Sequence, residues 1–177
     1  IELSPPEVIR PPKMPEVDFS SINIRYPLIP RREPAFAYAH IQWAKAEEAL
    51  TYYVLEPEMS REEAALLERI KSSLIEKLDI DFTKLRKDEA SNFLRGKFGE
   101  MVSLMAKGIA PDRQQVLLYY VERDFIGLGK IEPLMQDPSI EDISCDGVGI
   151  PVFIFHRNPL IGSVRTNIMF NTMEELD

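Results

Sequence analysis

The chain has 177 residues, 45% of them hydrophobic and 28% charged. That is the mix of one globular domain or two small ones, and it excludes wholesale disorder and collagen-like repeats. Its 21 basic and 29 acidic residues give a net charge of −8; an acidic chain repels phosphate backbones, so nucleic acid is not an expected partner.

Eight of the 14 prolines fall in residues 1–34. Proline fixes φ and removes an amide donor, so this stretch reads as an extended arm rather than helix or inner strand. Its apolar residues Ile22, Ile24, Tyr26, Leu28 and Ile29 suit a second half lying on a folded surface; a disordered tail is the alternative. The sequence opens at Ile1 without an initiating Met and shows no secretory leader pattern, so a start inside a longer gene product is expected.

Residues 35–43 and 49–55 are rich in aromatic and β-branched side chains, and the spacing predicts a β-hairpin. A single helix across Trp43–Leu50 is the alternative, because Ala, Glu and Lys are good helix formers. Ser60-Arg61-Glu62-Glu63 is a capping box, and Leu67, Ile70, Leu74 and Leu78 follow at helical spacing, predicting a helix over 61–78. A second helix is predicted from about 84 or 88 to 107, with Leu94, Phe98, Met101 and Met105 on its apolar face and Gly108 as its stop. Gly96 and Gly99 inside it predict close approach of a neighbouring helix. Pro111 opens a third helix over 112–125, and its run Val116–Val121 predicts the most buried of the three.

All eight glycines lie after residue 95, and five of them lie between 127 and 162. Tight turns therefore belong in the last third of the chain. Strands are predicted over Ile140–Cys145, Val152–His156 and Val164–Phe170, with turns at 146–149 and 158–162. Thr172-Met173-Glu174-Glu175 announces a helix that the sequence breaks off, a second sign of a piece of a longer chain.

Gly127-Leu128-Gly129-Lys130 looks like part of a phosphate loop but fails the pattern. Asp124 stands at the first glycine position and Ile131 replaces the Ser/Thr, so a glycine turn is expected. No nucleophile elbow, zinc-protease helix or Cys/His cluster occurs. His40 and His156 read as packed or rim side chains. The single cysteine, Cys145, excludes an internal disulfide, fits a reducing compartment and reads as a small buried residue. Glu132, Asp137, Glu141, Asp142 and Asp146 read as a solvated edge with cap and turn roles. Arg157 and Arg165 flank the 158–162 turn; a hairpin tip with two guanidinium groups suits a phosphate, and surface solubility is the alternative.

From Tyr119 to Phe170 the chain resembles the segment before the motor domain in type II/type IV secretion ATPases, especially the archaeal secretion and archaellum-motor branches. The matching pieces are Gly127–Ile131, Pro133–Met135, Asp137-Pro138, Ile140–Ile143, Asp146-Gly147, Pro151-Val152, His156-Arg157 and Thr166–Ile168. The region from Tyr26 to about Leu78 is similar to the archaeal branch as well.

The resemblance implies an α+β N-terminal domain of a hexameric ATPase for secretion, pilus or archaellum assembly. The chain then divides into the extended Pro-rich arm (1–34), a β-hairpin with three helices (35–126) and a small antiparallel sheet running into a linker helix (127–177), a sheet that the resemblance implies is PAS-like. ATP and Mg would be bound with a C-terminal RecA-like motor domain that this sequence lacks, so the 177 residues alone should be inactive. Arg157 and Arg165 would approach the nucleotide phosphates. Implied partners are the chain's own motor domain, five further copies and an inner-membrane platform protein, at the cytoplasmic membrane face. A stand-alone PAS-like sensor or adaptor and a part of a DNA-translocating ATPase are the alternatives.

Overall fold

Alternating burial along the strands shows how the sheet is made. In the computed structural model, which describes residues 17–78 and 84–177, six strands form one sheet in the order β1-β2-β3-β6-β5-β4. They are β1 (Asn23–Ile29), β2 (Ala37–Ala44), β3 (Ala49–Leu55), β4 (Ile140–Ser144), β5 (Pro151–His156) and β6 (Ser163–Met169). Ala37, Ala39 and Ile41 of β2, Leu50, Tyr52 and Val54 of β3, and Val152 and Ile154 of β5 all point inward, as the two-residue period of a half-buried strand requires.

The hairpin predicted from residues 35–55 is β2–β3, paired antiparallel from Tyr38↔Leu55 to Ala44↔Ala49. Its turn places Glu48 at a φ of 48°. The alternative helix across Trp43–Leu50 does not form, because the β-branched and aromatic flanks of the turn are core-facing strand residues. The second half of the arm lies on the folded body as expected, more intimately than a surface strap. After a single 3-10 turn at Phe19–Ser21, β1 joins the sheet as an edge strand beside β2. Pro27 is tolerated there because an edge strand need not donate every amide. The first half of the arm, residues 1–16, falls outside the described residues.

Helices α1 (Arg61–Lys77), α2 (Lys87–Met105) and α3 (Pro111–Phe125) follow. The predicted capping box opens α1: Glu63 N donates to Ser60 Oγ at 3.1 Å, and Ser60 N donates to Glu63 Oε1 at 3.3 Å. Ile70, Leu74, Leu94 and Leu117 are fully buried in the core shared by helices and sheet, each worth roughly 1.5–3 kcal/mol relative to exposure. Gly108, at a φ of 92°, ends the second helical segment where a left-handed residue is needed. Gly96 and Gly99 do not serve close helix packing: both are exposed, and a Cβ at either would meet nothing within 4 Å.

The expectation of a small antiparallel sheet in residues 127–177 is corrected. The β4–β5–β6 meander is half of the larger mixed sheet, because β6 runs parallel to β3 through Thr51↔Arg165 and Tyr52↔Thr166. Past those two pairs the Asn167 side chain takes over. Its Oδ1 accepts from Val54 N at 2.8 Å, and its Nδ2 donates to Val54 O at 3.0 Å. One carboxamide thus supplies both partners a strand residue would. Periodicity reveals strands but not their neighbours, so this seam was not visible in the sequence. The fold is α+β, and no described helix is long and apolar enough to cross a membrane.

Candidate functional site

Asp137 sits in the turn between the short helix α4 (Glu132–Met135) and β4, and is only 4% exposed. The Asp-Pro-Ser sequence folds into a local turn in which Ser139 N donates to Asp137 Oδ1 at 2.8 Å. The other oxygen, Oδ2, accepts from Tyr26 Oη at 2.5 Å and from Tyr52 Oη at 2.6 Å. Burial, together with the neighbouring carboxylate, pushes both phenols far above their ordinary range, so they stay protonated donors.

His156 completes the group. It ends β5 on the inward parity set by Val152 and Ile154, and its Nε2 lies 3.3 Å from Tyr26 Oη. Its Nδ1 accepts from Asn158 N at 3.1 Å, which requires an unprotonated Nδ1. Burial holds its pKa below the usual histidine value, and the Asp137 carboxylate only partly opposes this. Strands β1 and β5 are four positions apart in the sheet, about 19 Å at 4.8 Å per strand. Tyr26 and His156 nevertheless touch, so the sheet is curled and Asp137 ties its opposite sides together.

This network was missed in the sequence. Glu132 and Asp137 were read as members of a solvated edge, and both are buried. Glu132 accepts from Leu128 N at 2.8 Å and from Gln136 Nε2 at 2.8 Å, closing the turn around α4. Asp137 did take a turn role, but with one oxygen only. The inward parity of His156 on β5 was the available signal.

The network also fixes the start of the β5–β6 turn. Arg157 N donates to Ser139 O at 2.8 Å, two residues from Asp137, while Asn158 N is held by His156. Arg157 is exposed at the tip. Arg165 is not at the tip: it lies within β6, in register with Phe153 of β5 and Thr51 of β3, on the face away from the core. Four residues of strand separate the Arg157 and Phe153 positions, about 13 Å. The two guanidinium groups therefore start from separate points on one face. Among the described residues, Arg165 Nε and Thr51 Oγ1 are buried without a hydrogen-bond partner. The far end of Arg165 is held loosely, 3.6 Å from Glu47 Oε1 in the β2–β3 turn. Glu47 and Thr51 gave no motif signal; only strand pairing brings them to Arg165.

Other candidates resolve as structure. Lys130 donates to Met169 O at 3.3 Å and pairs with Glu175 at 2.8 Å, tying the glycine turn to the end of β6 and to α5 (Met173–Leu176). Gly127 allows that turn to close: a Cβ there would lie 2.7 Å from Arg123 O and 2.8 Å from the Glu132 side chain. Cys145 is exposed, because β4 ends at Ser144, which corrects the expectation of a buried thiol. His40 packs at the rim with Nε2 at 2.7 Å from Asn23 Oδ1. A cleft of about 580 Å³ between α2 and α3 includes Tyr119, Arg123 and Glu132 in its wall. Its Arg123 is already engaged, with Glu56 at 2.9 Å and Asp124 at 2.8 Å. Among the described residues no group of three or more His, Cys, Asp or Glu is arranged to hold a metal.

The His156 geometry predicts a pH dependence. Its folded pKa is depressed below the ordinary 6.5, so its contribution to stability is complete above about 6.5 and is lost as pH falls towards the folded pKa. Urea denaturation should give a lower midpoint at pH 5.5 than at pH 7.5, and His156→Gln should flatten that difference. An equal pH dependence in the variant would assign the effect elsewhere.

The chain is similar to two proteins of Methanocaldococcus jannaschii. Uncharacterized protein MJ1288 is 34% identical over 137 residues, covering 77% of this chain and 54% of that protein. Uncharacterized protein MJ0900 is 37% identical over 68 residues, 38% of this chain and 12% of that protein. No protein-family profile matches the chain. The chain thus spans about half the length of one relative and about an eighth of the other is matched.

Proposed function

We propose that the chain is the N-terminal domain of a hexameric ATPase that powers type II secretion or the assembly of a type IV pilus or archaellum. The observation that carries the reading is Arg165. It is a guanidinium on a central strand, with a buried unpartnered Nε and only a 3.6 Å engagement at its far end. A planar donor fork held in that way suits a phosphate oxygen. Arg157, pinned at its backbone beside the Asp137 network, is the second cation on that face. The match of 68 residues to a small share of the far longer MJ0900 also suits a module joined to other domains.

In this reading the domain supplies cations to ATP, while Mg and the phosphate loop belong to a RecA-like motor domain that follows it. Its sheet is of PAS type. The assembled ring works at the cytoplasmic membrane face against a platform protein. Binding of ATP between the two domains would draw them together, turning hydrolysis into movement.

The test is made on the gene product that extends past Asp177. A G-x-x-x-x-G-K-[ST] sequence is expected within about 150 residues, one domain length. Magnesium-dependent ATP hydrolysis is expected from that product, and none above background from the 177-residue chain. Hydrolysis by the short chain, or a continuation without a phosphate loop, would overturn the reading.

A further inference from the structure

The outer face of the β4–β5–β6 meander carries two aromatic rings that the core does not use. Phe153 and Phe155 lie on the outward parity of β5, 36% and 46% exposed, between inward Val152, Ile154 and His156. Their outward neighbours are polar. Register pairs Asp142 of β4 with Phe155 and Ser163 of β6, and pairs Ser144 with Phe153 and Arg165. A shallow depression of about 470 Å³ opens there, lined by Phe153, Phe155 and Ser163 together with Glu141, Asp142 and Ser144.

Two features define what fits it. Glu141 and Asp142 are exposed and make no ion pair among the described residues, so both carboxylates are free to take a partner's cation. Strand β4 is the last in the sheet order and pairs only with β5, leaving a strand edge beside the rings. An aromatic face beside unpaired carboxylates attracts a cation, and an open edge accepts an extended backbone.

We propose that this surface docks an extended, arginine-bearing segment of a partner protein. The segment lies along β4, and one guanidinium stacks on Phe155 while bonding to the Asp142 carboxylate. The two rows of the surface are not equivalent. Phe153 has the Arg165 cation as its neighbour in register, which repels a second cation, whereas Phe155 has Asp142 on one side and neutral Ser163 on the other, with Arg157 beyond the end of the strand. The cation therefore belongs on the Phe155 row. The inference is independent of nucleotide binding and does not use Arg157.

The experiment uses the ¹⁵N-labelled 177-residue chain and a capped seven-residue peptide of alternating Arg and Val as the probe, with the alternating Glu and Val peptide as its counterpart. The Arg peptide should shift the amides of residues 140–144 and 153–155. Phe155→Ala and Asp142→Asn should each weaken binding at least fivefold, while Phe155→Leu, which keeps apolar bulk without the ring face, should weaken it nearly as much as Phe155→Ala. Glu62→Gln, an exposed carboxylate on α1, should leave binding unchanged. Shifts spread over α1, equal losses from Glu62→Gln and Asp142→Asn, full affinity in Phe155→Leu, or equal binding of the Glu peptide would each overturn the proposal.

Discussion

On the proposed ATPase reading, replacing Arg165 or Arg157 by alanine in a product that carries the motor domain should lower ATP hydrolysis about 10³-fold and leave folding nearly unchanged. A charge-assisted contact to the transferring phosphoryl group can supply that factor, roughly 4 kcal/mol on the barrier. The stability cost should be small for both. Arg157 is exposed, and among the described residues Arg165 makes one ion pair, a 3.6 Å contact to the part-exposed Glu47. Exposed ion pairs of that kind contribute about 0–1 kcal/mol. Lys130→Ala is the internal comparison, because its partners Met169 O and Glu175 are structural. Steady-state rates and melting curves on the three variants separate the effects. Arginine variants within twofold of the parent rate, alongside an inactive Lys130→Ala, would move the phosphate contact to the glycine turn.

The largest stability loss is expected at Asp137. Asp137→Ala removes the acceptor for the buried Tyr52 hydroxyl, the half-buried Tyr26 hydroxyl and Ser139 N. Leaving a buried donor unsatisfied costs about 1–3 kcal/mol, so the sum should be about 3–5 kcal/mol. That is a large part of the about 5–15 kcal/mol by which domains are stable. Tyr52→Phe removes one donor and leaves the carboxylate with its other partners, so it should cost only about 1–2 kcal/mol. It also serves as the measurable variant if Asp137→Ala does not fold. Urea denaturation gives both values; an Asp137→Ala loss under 1 kcal/mol would show that the network does not hold the sheet.

The local elements were readable because their signals are local. The Ser60 capping box, the Pro111 start, the helical spacing of Leu67, Ile70 and Leu74, and the alternation in β2, β3 and β5 all act within a few residues. What was not readable depends on partners distant in the chain. Asn167 meets Val54 across 113 positions, and Tyr26 meets Asp137 across 111. Neither has a sequence period. Asp137 and Glu132 were assigned to the surface because acidic residues mostly lie there, and the exception became visible only once their donors were placed. Cys145 was misjudged for the converse reason: an apolar neighbourhood in sequence became the first residue beyond a strand end. Arg157 and Arg165 came from the hairpin pattern and the family resemblance, but their offset of about 13 Å required the β5–β6 register.

The contact between Tyr26 and His156 gives the domain two routes of very different length between the same two strands. Through the sheet, a displacement at the β5–β6 tip must pass β6, β3 and β2 before it reaches β1, four lateral steps or about 19 Å. Through the interior it passes from Asn158 to His156 to Tyr26, spanning two contacts of 3.1 and 3.3 Å. The tip and the far edge strand are therefore joined by a short side-chain path as well as by the breadth of the sheet.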